Sequence, residues 1–389
     1  MSGFSVRRVS RGAWIAGLAG LAAVAAALAT GLAAMDRASP TVAAAAAPPP
    51  AVLPLAWPDV QPEPPPQLTA RLEALAAAWG EPVGVAVADV DQGWITSVDG
   101  DTPYPQQSVS KLWVAVAALD AVDRGELSLE QEVVFEDADR SVFFQPIVKQ
   151  LSAGGYRTTV RELMLRALAQ SDNAANDKLI RTVGGVETVD ETLRRLNLEG
   201  VGIGAEERDL QAQIAGLSWR PEYGYGRAFQ QARAALPDWA RDQAMDAYLA
   251  QPLDGASPAA IAKALVALKR GEVLSPGATG VLLAMMAEAN TGPNRLKGGL
   301  PLGWSIAHKT GTGQDLRGYS IGINDVGLLT APDGRTYAVA VMMRRTHKPV
   351  PQRLAFMQAV SRAVAESWAA EAGPAAELAS LRKPGELSE

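Results

Sequence analysis

Three short clusters in this 389-residue chain place hydroxyl and amine groups at spacings that suit nucleophilic catalysis. The first is Ser108-Val109-Ser110-Lys111, preceded by Pro105 and followed by Leu112, Val116 and Leu119 at helical spacing. It predicts the opening of a helix with those three apolar residues as its buried stripe. Side chains three apart on a helix share a face, which brings the Ser108 hydroxyl within reach of the Lys111 amine. A serine hydroxyl is a weak nucleophile at neutral pH, and a lysine that gives up its proton can act as its base. The N–H groups at the start of a helix also gather where an oxyanion would form. Alone, this pattern is better read as a serine cap beside a surface lysine. The second cluster, Ser171-Asp172-Asn173, interrupts a helical segment. The third, Lys309-Thr310-Gly311-Thr312-Gly313, precedes a strand pattern that begins near Tyr319.

In this order, S-x-x-K, S-D-N and K-T-G resemble the motif set of class A β-lactamases and penicillin-binding proteins. The likeness extends through Ala174-Ala175-Asn176, Gly184-Gly185, Asp254-Gly255-Ala256-Ser257-Pro258 and Asn324-Asp325, covering nearly everything from Leu68 to Trp368. Glu207-Arg208-Asp209-Leu210-Gln211 is similar to the family's E-x-x-L-N loop motif.

The resemblance implies an enzyme in which Ser108 opens a β-lactam ring to give an acyl-enzyme. It implies that the serine proton goes to Lys111 directly or to Glu207 through a water, and that Ser171 passes it to the ring nitrogen. The N–H groups of Ser108 and Thr312 would hold the oxyanion. Lys309 and Thr310, with Gly311, would receive the substrate carboxylate, and Asn173 the side-chain amide. Glu207 would then activate the water that releases the product. Two departures stand out: Gln211 occupies the family's asparagine position, and the chain between Gln211 and Asp254 is long, with Trp219, Tyr223, Tyr225 and Trp239 in the excess. They leave open a D,D-peptidase or esterase of the same superfamily with slow lactam turnover. A non-catalytic cell-wall binding module is the reading from another class.

The elements that must position these groups are legible by periodicity. Leu68 to Trp79 reads as a helix, and Pro82 to Asp89 with Trp94 to Ser97 as a hairpin. Helical spacing then recurs at Val160 to Ala169, Asn176 to Thr182, Val186 to Leu196 and Pro258 to Leu268. Strands return at Tyr319 to Leu329 and Thr336 to Met343, joined at Asp333-Gly334, before a last helix from Arg353 to Trp368. Strands at both ends with helices between them, together with the resemblance, predict an α/β (α+β) fold. Its antiparallel sheet is flanked by helices and carries an all-helical subdomain.

Composition narrows the chemistry. The absence of cysteine removes thiolate metal sites, disulfides and a cysteine nucleophile, and two histidines, His308 and His347, are too few for an imidazole-rich metal site. No metal or cofactor is expected. A net charge of -6 provides no basic surplus for nucleic acid, which is not expected as a partner; the resemblance implies a small-molecule β-lactam substrate and a monomeric protein. His308 is expected to face away from Lys309 on its strand, and His347 to lie in a solvated loop. The long-segment aromatics are expected to pack that segment onto the body. Phe143 and Phe144 are expected to cap the helical subdomain, with one of them free to line the cleft.

Arg7, Arg8 and Arg11 precede an apolar run from Ala13 to Ala34, which reads as a cleaved signal or an uncleaved inner-membrane anchor, hence a periplasmic protein. The resulting organisation is a signal or anchor at 1–36, a Pro/Ala-rich linker at 37–67, a catalytic domain at 68–369 and a disordered tail at 370–389.

Overall fold

The computed structural model describes residues Pro62 to Ala372. The signal or anchor expected at 1–36, the linker up to position 61 and the tail from position 373 lie outside the described residues. Among the described residues, no helix is long and apolar enough to cross a membrane.

The strands, in chain order, are β1 (Val83–Asp89), β2 (Ile95–Val98), β3 (Tyr104–Pro105), β4 (Glu132–Phe135), β5 (Tyr156–Thr159), β6 (Gly255–Ala256), β7 (Ser305–Gly311), β8 (Asp315–Leu316), β9 (Tyr319–Thr330) and β10 (Thr336–Thr346). The main sheet runs β2-β1-β10-β9-β7, with β8 against β9, and all its pairings are antiparallel. The β9–β10 turn uses Gly334 at φ +95°, a conformation that costs glycine little.

Period-two alternation divides the sheet between two cores. Val85, Val87, Val339, Val341 and Met343 face the helices Pro66–Trp79 and Val350–Ala372. Ala86, Ala88, Ala338, Ala340 and Met342 face the helical subdomain. Because both faces are covered, the central strands read as continuous apolar runs. Leu329, fully buried in the first of these cores, tests that arrangement. Leu329→Ala is expected to lower unfolding free energy by about 2–5 kcal/mol, measured by denaturant titration.

The helix Lys111–Asp123 is buried from Lys111 through Ala121, not along one stripe as the spacing of Leu112, Val116 and Leu119 predicts. A helix apolar on every side belongs in the middle of a fold, here between the sheet and the helical subdomain. The long segment after Gln211 is also more ordered than a loop: it carries the helices Ala228–Ala235 and Asp238–Ala250. The helix Pro276–Ala287 is a further element that the sequence pattern does not single out.

Candidate active site

Ser108 lies in the 3-10 turn Gln107–Ser110 that leads into the central helix. That turn is held from several directions. Asn324 on β9 donates from Nδ2 to the carbonyls of Pro105 (2.7 Å) and Gln106 (2.9 Å). The Gln106 amide donates to Gly202 O and Asp254 O, each at 2.8 Å, and accepts from Trp113 Nε1 at 2.5 Å. Gln107 has φ +52°, and its N–H donates to Asp254 Oδ2 at 2.6 Å.

Lys111 is fully buried. Its Nζ donates to Ser108 Oγ at 2.8 Å and forms an ion pair with the Glu207 carboxylate. Glu207, only 3% exposed, opens the helix Glu207–Ile214, so the likeness to a loop motif falls on a helical turn. Gln211, one turn on, donates from Nε2 to Glu207 Oε2 (3.3 Å) and Gln107 Oε1 (2.9 Å). Its own Oε1 accepts from Gln314 Nε2 at 3.0 Å.

Ser171 faces the same cleft from the helical subdomain. It adopts a left-handed conformation at φ +62° between the π-helical turn Arg166–Gln170 and the helix Asn173–Val183. Asp172 fixes that junction: its side chain caps the helix at Ala175 N (3.0 Å) and accepts from Ile147 N (2.6 Å). Lys309, on β7, donates from Nζ to Ser171 Oγ at 3.0 Å and to Thr310 O at 2.9 Å. Burial, reinforced by the Lys111 charge, holds the Lys309 amine well below the usual lysine range. Asn173 donates from Nδ2 to Val142 O at 2.9 Å, and Thr310 Oγ1 lies 2.8 Å from Thr291 Oγ1.

Ser108, Ser171, Asn173, Glu207, Thr310 and Thr312 all line one cleft of about 600 Å³. Lys111 and Lys309 reach its two wall hydroxyls from below, and Gly311 lies where β7 passes under the serine turn. A Cβ at Gly311 would sit 2.4 Å from Gln106 O, so glycine there permits the close approach.

A family model described as the beta-lactamase enzyme family matches residues 67–368. The chain belongs to that family. Beta-lactamase VEB-1 of Pseudomonas aeruginosa is 26% identical over 276 residues, spanning 71% of this chain and 82% of the relative. Extended-spectrum beta-lactamase PER-1 of the same organism is 28% identical over 282 residues, spanning 72% and 80%. A solved beta-lactamase from Chitinophaga pinensis superposes with a TM-score of 0.64 at 28% identity, covering 77% of this chain and 99% of that one. These likenesses carry the antiparallel sheet with its flanking helices.

Other residues of this beta-lactamase-family site give no signal in a single sequence. Arg295 donates to Gly311 O (2.8 Å), Asn324 O (2.6 Å) and Thr312 Oγ1 (2.6 Å), which puts a guanidinium beside the K-T-G strand. Gln107 and Gln314 join Gln211 in an amide chain around Glu207. Asp177, wholly buried, accepts from Glu207 N (2.7 Å), Arg208 N (3.2 Å) and Ser141 Oγ (2.7 Å), and so positions the start of the Glu207 helix.

Burial pushes the Asp177 carboxyl up to about 7, with the Glu206 and Glu207 charges adding to the push. A carboxyl whose pKa rises on folding binds its proton more tightly in the folded state. Its contribution is therefore intact below its unfolded pKa, near 4, and is lost as pH rises from there to about 7. The melting temperature of Asp177→Asn, relative to the unsubstituted protein, is expected to climb across that window and level off above it.

The remaining sequence expectations divide. His308 does turn from Lys309, and its Nδ1 lies 2.8 Å from Asp325 Oδ1 in a buried pair. His347 is exposed beside Tyr319, with ring centroids 5.5 Å apart. Tyr223 packs edge-on against both Trp219 and Phe229, and Tyr225 lies under Arg140. Trp239 breaks the packing expectation: it is 68% exposed. Phe143 and Phe144 both line the cleft, at 44% and 58% exposure, instead of capping the helical subdomain. Phe143 is held there by an edge contact with Phe229 of the long segment.

Proposed function

We propose that the protein hydrolyses β-lactams through an acyl-enzyme on Ser108, with Glu207 activating the water that releases the product. The observation that carries this reading is the Lys111 amine, which joins Ser108 Oγ at 2.8 Å to the buried Glu207 carboxylate. A proton leaving the serine enters this Lys–Glu pair, which holds it as one coupled unit.

As Ser108 Oγ bonds to the lactam carbonyl carbon, the N–H groups of Ser108 and Thr312 receive the oxyanion, each such donor contributing roughly 3–4 kcal/mol. The ring C–N bond then breaks, and Ser171 hands its proton to the nitrogen. Lys309 Nζ, which donates to Ser171 Oγ at 3.0 Å, is the amine placed to replace it. The substrate carboxylate settles at Lys309 and Thr310, with the Arg295 guanidinium beside the K-T-G strand. Asn173 meets the side-chain amide.

Release needs a water beside Glu207. Oε1 of that residue is engaged by Lys111, which leaves Oε2, next to the Gln211 amide, as the base. Glutamine at 211 thus keeps an amide within reach of the base despite its extra methylene. Export suits this role, and the basic residues ahead of the Ala13–Ala34 apolar run support it.

Nitrocefin turnover by the purified protein is the direct test, with steady hydrolysis expected. Stable acylation by a penicillin without turnover, accompanied by cleavage of a D-Ala-D-Ala peptide, would select the peptidase reading instead.

A further inference from the structure

The inserted helix Ala228–Ala235 contributes one charged side chain to the catalytic cleft, Arg233. One of its amine groups, Nη2, donates to Asp315 O at 2.9 Å. Its Nε is buried with no hydrogen-bond partner. Among the described residues the guanidinium has no ion-pair partner: the nearby Asp315 carboxylate is bonded to Ser320 Oγ, and Arg241 adds a like charge. Burial and the Arg241 charge lower its hold on its proton, against the opposing pull of the nearby Asp315 carboxylate. A half-buried arginine with spare donors in the wall of a cleft suits a carboxylate, which can take two parallel N–H bonds from the fork.

Its position decides which carboxylate. Arg295 bonds to Gly311 and Thr312, at the end of the cleft where the ring carboxylate settles. Arg233 bonds to Asp315, the residue after Gln314, and Gln314 is tied to Gln211 beside Glu207. The two guanidinium groups therefore anchor at different points of the same wall, Arg295 at Gly311 and Thr312 and Arg233 at Asp315, on the Gln211 side. In the reading above, a β-lactam with its ring carboxylate beside Arg295 and its amide at Asn173 leaves Arg233, on the Gln211 side, for its acyl substituent.

We propose that Arg233 forms an anion subsite, so that the protein accepts β-lactams whose acylamino side chain carries a carboxylate of its own. This rests on the β-lactam reading above and goes beyond it, since it names the substrate class and assigns a role to the inserted segment.

Benzylpenicillin and its α-carboxy derivative carbenicillin differ by one side-chain carboxylate and form the matched pair for the test. In Arg233→Ala, kcat/KM for carbenicillin relative to benzylpenicillin is expected to fall about tenfold, chiefly through KM, the scale of one charge-assisted contact. Arg233→Lys should retain part of the preference, and Arg233→Glu should depress the ratio further. Loss of the Asp315 anchor or of local order moves both substrates together and leaves their ratio alone, so an unchanged ratio overturns the subsite. Calorimetric binding of both penicillins to Ser108→Ala protein, with and without Arg233→Ala, keeps the two claims apart. Failure of the unsubstituted protein to turn over either penicillin ends the hydrolase reading, whereas equal affinities in the binding experiment end the subsite.

Discussion

Ser108→Ala is expected to abolish covalent labelling by a fluorescent penicillin and to cut nitrocefin turnover by roughly ten thousandfold to a millionfold. The size follows from the arrangement around the hydroxyl. Lys111 has no exposed surface and spends its Nζ on Ser108 and Glu207, so the serine is the one hydroxyl to which this buried pair is coupled. Ser171, the other serine lining the cleft, is bonded to Lys309, whose partners are Ser171 and the Thr310 carbonyl. Gel fluorescence and nitrocefin absorbance check both parts. Labelling that persists, traced by peptide mapping to another residue, would remove Ser108 from the chemistry.

Glu207→Gln is expected to separate the two halves of the reaction. Acylation should still produce a burst, with the serine proton passing to Lys111 alone, while release should slow by about a hundredfold to ten thousandfold for want of a base. The adduct should then be visible by intact-protein mass spectrometry long after mixing. Glutamine is the better replacement than alanine, since it fills the same volume and leaves Lys111 an oxygen to meet. Removing the side chain altogether would strand a buried ammonium. Turnover at the original rate would show that a different group activates the water.

What could be read from the sequence follows the range over which each interaction acts. The hairpin of β1 and β2, the β9–β10 pair and most subdomain helices declare themselves through local periodicity. The spacing of Ser108 and Lys111 foretells their contact because a single turn enforces it. The meeting of Lys309 with Ser171 was legible only through the resemblance of ordered motifs, since no local rule joins a strand near the end to a turn in the middle. Other features stayed hidden for specific reasons. The central helix is apolar all round, so its pattern has no preferred face to reveal. Arg295 and Arg233 look like any other arginines until the fold sets them against β7 and Asp315. Phe143 lines the cleft because Phe229, far along the chain, supports it. Trp239 was read as packed on apolarity alone, and its exposure shows that one large ring does not guarantee a contact.

The residue just before Ser108 carries a wider implication. Gln107 sits at φ +52°, a conformation that costs a side chain with a Cβ on the order of 1 kcal/mol or more. Its N–H is gripped by Asp254, and its amide by Tyr248 and Gln211, which bound or belong to the inserted segment. A glycine there would ease the backbone, yet it would lose both side-chain hydrogen bonds and sever the thread that ties the insertion to the serine. The strained backbone at this single position is thus exchanged for a fixed link between the inserted segment and the serine turn.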